Sequence, residues 1–223
     1  FRIAVESMTP VFFLSDGYIS TSSEPWKIPD PEDIPPIVVE NRSDPEGFHP
    51  YLRDPVTLAR PWAIPGTPGL EHRVGGLGKQ DITGNVSYDA DDHQHIVNTR
   101  AQKVANIADR LPLQDVEGPS TGDLLVVGWG GTYGALRSAV RKAQSNGQSV
   151  AHAHIRYLNP FPSNLGRILS KYRKVLVPEL NMGQLSQLLN ARYPVRVLSY
   201  PKVKGQPFKI SEISDKINEL LKD

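Results

Sequence analysis

Four short apolar runs, each followed by a stretch with helical periodicity, fill the second half of the sequence and constrain the fold more than any other feature. Residues 123–127 lead through a glycine-rich turn into a helix whose apolar face is Leu136, Ala139, Val140 and Ala143, closed by Gly147. Residues 150–157 precede a helix over 163–172, residues 174–177 one over 184–193, and residues 195–199 one over 211–221. Ser163 and Ser211 are natural N-caps. Strands alternating with helices predict an α/β fold: a parallel four-stranded sheet with right-handed crossovers, covered by helices.

The first half reads differently. Phe1, Ile3, Ala4, Val5 and Met8 have the spacing of the last turns of an amphipathic helix with no capping residue before it, so its beginning is expected upstream. Residues 11–14, Val-Phe-Phe-Leu, read as a strand buried on both faces. Helix and strand together are expected to be the end of another α/β domain. Ser15-Asp16-Gly17 follows where parallel sheets place ligands, which makes Asp16 and Gly17 a candidate cofactor-edge turn. A capping aspartate in a turn is the plainer role.

From about residue 24 to 87, Pro25, Pro29, Pro31, Pro35, Pro36, Pro45, Pro50, Pro55, Pro61, Pro65 and Pro68 break every helix. This long Pro/Gly-rich irregular segment keeps Trp26, Phe48, Tyr51, Trp62 and Leu70, which a solvated linker would not need. A docking role is expected. Arg53, Arg60, His72 and Arg73 stand out in it, because a planar guanidinium bonds carboxylates and phosphates bidentately. A helix over 93–111 follows, with Val97, Ala101, Val104, Ala108 and Leu111 as its core face and Asp91 or Asp92 as its cap. The expected divisions are 1–25, 26–120 and 121–223.

Composition removes several function classes. The sequence has no cysteine, so disulfides, a thiolate nucleophile and the ligands of an iron–sulfur cluster are excluded from this chain. A net charge of +1, with mixed signs, leaves no footprint for nucleic acid or an anionic membrane. No apolar run approaches the roughly 18–20 residues of a membrane span, and no signal pattern opens the chain. A cytoplasmic location is expected.

The remaining motifs favour structural roles. Gly128, Gly130, Gly131 and Gly134 invite a dinucleotide reading, yet the third fingerprint glycine falls on Tyr133 and no acidic residue closes the second strand. His152 and His154 share a strand face with Arg156, without a third metal ligand at a recognised spacing. Glu179 ends the third strand before a helix start and is expected to cap it. Spacing assembles no catalytic triad and no carboxylate pair, so no catalytic, cofactor-binding or metal residue is assigned.

A family resemblance adds to this. Phe12-Phe-Leu-Ser-Asp-Gly-Tyr18, Ser23-Glu-Pro-Trp26 and Arg60-Pro-Trp-Ala-Ile-Pro-Gly-Thr-Pro-Gly-Leu-Glu-His-Arg73 resemble the alpha subunit of 2-oxoacid:ferredoxin oxidoreductases, most of all the 2-oxoglutarate type. So do Gly75-Gly-Leu77, Thr83-Gly-Asn-Val-Ser-Tyr88, the turn from Gly128 to Gly134, His152 through Pro162, and Val177 through Gln184. The resemblance implies an enzyme that decarboxylates a 2-oxoacid on thiamine diphosphate, reduces ferredoxin through iron–sulfur clusters and traps the acyl group on coenzyme A. It implies that 1–25 closes a pyrimidine-binding-like domain and that 121–223 is a transketolase C-terminal-like domain. Thiamine diphosphate, magnesium and the clusters would sit mostly on a partner beta subunit. This piece alone would be inactive, with Arg53, Arg60, His72 and Arg73 near a substrate channel or a subunit interface. Pyruvate-type oxidoreductases and a non-catalytic interaction module are the alternatives.

Overall fold

A computed structural model describes residues 1–222, which form two units. Among the described residues, one comprises 1–13 and 25–110, the other 14–24 and 111–222. In the first unit lie α1 (Arg2–Ser7), the two-residue strands β1 (Asn41–Arg42) and β2 (Trp62–Ala63), and α3 (Ala90–Asn106), which tightens into a 3-10 turn over Ile107–Arg110. The second unit has the short helix α2 (Gly17–Ser20), then β3 (Gly122–Trp129), α4 (Tyr133–Ser145), β4 (Val150–Ile155) and α5 (Leu165–Leu169). It continues with β5 (Tyr172–Glu179), α6 (Gln184–Arg192), β6 (Val197–Pro201) and α7 (Ile210–Lys222).

The sheet of the second unit is the predicted one. Its four strands run in the order β4-β3-β5-β6, all parallel. Period-two alternation along β3 sends Leu125 and Val127 to one face, where α5 and α6 bury Leu165, Leu169, Leu185 and Leu189. Leu124 and Val126 point to the other, against Leu136, Val140, Ile213 and Ile217 of α4 and α7. Both faces are covered, which is why the strands read as continuous apolar runs.

Several local expectations change. Residues 11–14 form no strand: Phe12 is 87% and Phe13 90% exposed. A strand needs ladder partners, and among the described residues none pairs with this run. The helix expected over 163–172 is only α5, because Tyr172 pairs with Gly122 and opens β5, and Ser163 is not its cap. α7 begins one residue before Ser211, where Glu212 Oε2 accepts the Lys209 amide at 2.7 Å and so takes over the capping. α3 is capped by Asp89, which accepts from the amides of Asp91 and Asp92.

The buried face of α3 also differs. Val97 is 44% exposed and Ala101 is exposed, whereas Ile96, Lys103 and Ile107 are buried. Ile96, Lys103 and Ile107 set the face, with the aliphatic stem of a lysine packed inward, while of the expected core residues Val104 and Ala108 are half-buried and Leu111 is buried.

Candidate functional site

The first unit holds a cavity of about 230 Å³ with Arg53, Arg60, Lys79, Arg100 and Lys103 among its lining residues. The irregular segment supplies Arg53 and Arg60, whose guanidinium groups lie 5.5 and 4.6 Å from the centroid of the Tyr51 ring. Such cation–π contact fixes both forks against one plane. Arg53 Nη1 donates to Leu58 O at 3.0 Å and Arg60 Nη1 to Pro50 O at 3.3 Å. Arg53 Nε is buried without a hydrogen-bond partner, with Asp81 no nearer than 3.9 Å.

Helix α3 supplies the opposite wall. Ile96, Arg100 and Lys103 fall four and three residues apart, so all three face the cavity. Lys103 is 8% exposed and Lys79 3% exposed; Lys103 Nζ donates to Met8 O at 2.8 Å and Lys79 Nζ to Arg73 O at 3.1 Å. Burial, with Arg53, Arg60 and Arg100 adding repulsion, pushes the Lys103 amine down to about 8. Burial likewise lowers the Arg53 guanidinium, against the pull of Asp81.

The four candidate residues of this segment therefore divide. Arg53 and Arg60 share the cationic cavity, while His72 and Arg73 line a second one of about 390 Å³ with Phe48, Glu71 and Asn85. There His72 Nδ1 lies 2.8 Å from Leu70 O, and its ring meets Phe48 at 5.6 Å. Lys79, Arg100, Lys103 and Tyr51 escaped the sequence reading as site residues. The available signal was the Ile96, Arg100, Lys103 row, which a hydrophobic-face search discards because two of its members are charged.

In the second unit, Asp16 reaches the glycine turn. Its side chain accepts from the Tyr18 amide at 2.9 Å and caps α2, and a Cβ added at Gly131 would lie 2.5 Å from Asp16 Oδ2. Gly130 turns the chain with φ 57°, in the left-handed region. Thr132 Oγ1 both accepts from the Trp129 amide and donates to Trp129 O. Glu179, fully buried, accepts from the amides of Leu185 and Ser186 and from the Ser186 hydroxyl, as the capping expectation requires. Asp16 and Glu179 at this sheet edge are thus engaged by the protein's own amides.

Beside them, the rings of Tyr133, His152 and His154 lie 5.0 to 5.9 Å apart on the α4 face of the sheet. His152 Nε2 and His154 Nδ1 are buried without partners, and burial holds both imidazoles down at about 4. Glu117 pairs along β4 with His152, and its carboxylate accepts from Arg137 Nε at 2.8 Å and from the Tyr133 hydroxyl at 3.0 Å. Among the described residues no third metal ligand joins the histidines.

The pyruvate:ferredoxin oxidoreductase core domain II family matches residues 122–213. A 2-oxoglutarate oxidoreductase subunit KorA of Mycobacterium tuberculosis is 51% identical over 214 residues, covering 95% of this chain and 32% of that protein. The chain is homologous to 2-oxoacid:ferredoxin oxidoreductase alpha subunits.

Other oxidoreductase relatives agree. The 2-oxoglutarate synthase subunit KorA of Methanothermobacter marburgensis is 25% identical, over 97% of this chain and 58% of its own length. The structure of the 2-oxoglutarate:ferredoxin oxidoreductase of Magnetococcus marinus, with 2-oxoglutarate, coenzyme A and succinyl-CoA bound, aligns with TM-score 0.79 and 28% identity. It covers 86% of this chain and 34% of that one. The chain thus spans about a third of the M. tuberculosis relative's length. Core domain II of the oxidoreductase family starts with β3 and ends inside α7, so the cationic cavity lies outside it, in sequence that the full-length relatives also cover.

Proposed function

We propose that this chain is a structural and subunit-docking part of the alpha subunit of a 2-oxoglutarate:ferredoxin oxidoreductase. The whole enzyme would convert 2-oxoglutarate and coenzyme A to succinyl-CoA and carbon dioxide while reducing ferredoxin. The observation that carries this is the 51% identity to a 2-oxoglutarate oxidoreductase subunit across nearly the whole chain. Thiamine diphosphate would supply the carbanion chemistry of decarboxylation.

The residues present do not fit an iron–sulfur cluster, since the chain has no cysteine. By the family resemblance, cluster, thiamine diphosphate and magnesium are assigned mostly to a beta subunit, and no catalytic residue is assigned here. Arg53, Arg60, His72 and Arg73 are proposed to serve a substrate channel or the interface with the beta subunit; the shared cationic cavity of Arg53 and Arg60 supports the channel role for those two. Residues 121–223 serve as the transketolase C-terminal-like domain, 1–25 as the end of the preceding one, and 26–120 as the docking segment. No helix among the described residues is long and apolar enough to cross a membrane, and action in the cytoplasm is part of this proposal. Neither nucleic acid nor membrane is assigned as a partner.

The test is to purify the complete natural protein by a tag on this subunit. Recovery of a beta subunit bearing an iron–sulfur cluster, together with 2-oxoglutarate-dependent viologen reduction, supports the reading. A tagged protein that brings down no partner and reduces no acceptor overturns it.

A further inference from the structure

We propose that the cavity walled by Tyr51, Arg53, Arg60, Arg100 and Lys103 is a built oxyanion site for a small dianion, a phosphate group or a short dicarboxylate. Five cationic side chains converge there, and among the described residues the one carboxylate within 4 Å of any of them, Asp81, stands 3.9 Å from Arg53 and lies closer to His95, at 3.3 Å. Concentrating like charges in a half-buried space costs stability unless a counter-ion joins them.

The donors are also left available. Arg53, Arg60, Lys79 and Lys103 each give one hydrogen bond to a backbone carbonyl, which positions the side chain without neutralising it. A guanidinium has five N–H donors and an ammonium three, so most remain free, among them the buried Arg53 Nε. Their placement is fixed by the Tyr51 ring on one side and the regular helix α3 on the other. At about 230 Å³ the cavity is smaller than the roughly 300–1,000 Å³ of pockets that enclose drug-sized ligands. It suits one phosphate group, a diphosphate or a short dicarboxylate and not a nucleotide base.

Binding itself does not depend on the alpha-subunit reading; only the identity of the physiological anion rests on it. The experiment is calorimetric titration of the complete protein, with any partner subunit it retains, in low-salt buffer. Pyrophosphate and glutarate are titrated separately into the wild type, Arg60→Lys and Arg100→Gln. The first variant keeps the charge and loses the fork; the second removes the charge of an exposed side chain. At least one dianion is expected to bind at millimolar concentration or below, weakened about tenfold or more in at least one correctly folded variant, the size of one lost charged hydrogen bond. Preference for pyrophosphate identifies a phosphate source, and preference for glutarate a dicarboxylate. No binding of either dianion at millimolar concentration, or unchanged affinity in both variants, overturns the proposal. Turnover with 2-oxoglutarate, measured on the same preparation, reports on the enzyme reading separately.

Discussion

The carboxylate of Glu179 holds Ser186 twice, accepting its backbone amide at 2.9 Å and its hydroxyl at 2.8 Å through the same oxygen. The other oxygen accepts the Leu185 amide at 2.8 Å, so one buried side chain at the end of β5 satisfies the start of α6. Glu179→Ala leaves two buried amides without a partner and is expected to cost about 3 kcal/mol. Urea unfolding of the second unit checks it; a loss below about 1 kcal/mol would mean that water replaces the cap.

The contact between Asp16 and the glycine turn predicts coupled substitutions. Gly131→Ala drives a Cβ to 2.5 Å from Asp16 Oδ2 and is expected to destabilise, whereas an Asp16→Ala background removes the 2.5 and 2.9 Å contacts and leaves the 3.3 Å approach to the Cβ of position 16. A double-mutant cycle is expected to give a coupling of about 1 kcal/mol. Simple additivity would show that the two elements do not touch in solution.

Much of this unit was legible in the sequence, because its strands and helices carry unmixed periods and its turns carry glycine. Glu179 could be read as a cap since a carboxylate before a helix start has few other uses in a buried setting. Residues 11–14 were not legible: an apolar run reports that burial is favourable but not which partner provides it. Arg100 and Lys103 were missed for the complementary reason. A lysine whose stem packs inward looks solvated to any pattern that scores it as polar, and the α3 face was consequently placed one residue off.

The histidine pair makes stability depend on acid. His152 and His154 titrate at about 4 against an ordinary 6.5, first because they are buried. Repulsion from His154 and Arg137 acts further on His152 and Arg156 on His154, while Glu117 opposes at His152 and a hydrogen bond with the Gly130 backbone opposes at His154. Between those values the unfolded chain binds protons that the fold refuses. Stability from the neutral pair is full above 6.5 and is lost as pH falls toward 4. Imidazole proton shifts followed by NMR should show both midpoints well below 6, and midpoints near 6.5 would contradict the burial of the pair.

An anion in the cationic cavity should be felt by Lys103. Burial and then the charges of Arg53, Arg60 and Arg100 hold this amine at about 8, with Lys79 also lining the cavity and Asp81 3.9 Å from Arg53. A bound dianion favours the ammonium and raises the value, so binding at pH 8 is expected to take up a fraction of a proton. Titrations in two buffers of different ionisation enthalpy measure that uptake. It should vanish in Lys103→Met, and equal uptake in that variant would place the responding group elsewhere.

The central claim, that this chain serves a 2-oxoglutarate:ferredoxin oxidoreductase, is tested most directly by substrate preference. The complete enzyme, with its beta subunit and coenzyme A, is assayed for ferredoxin reduction with 2-oxoglutarate and with pyruvate. The account predicts a kcat/KM for 2-oxoglutarate at least about tenfold above that for pyruvate, the factor a single well-placed charged contact provides. Equal or greater activity with pyruvate would contradict the 2-oxoglutarate assignment, and no ferredoxin reduction with either acid would contradict the enzyme itself.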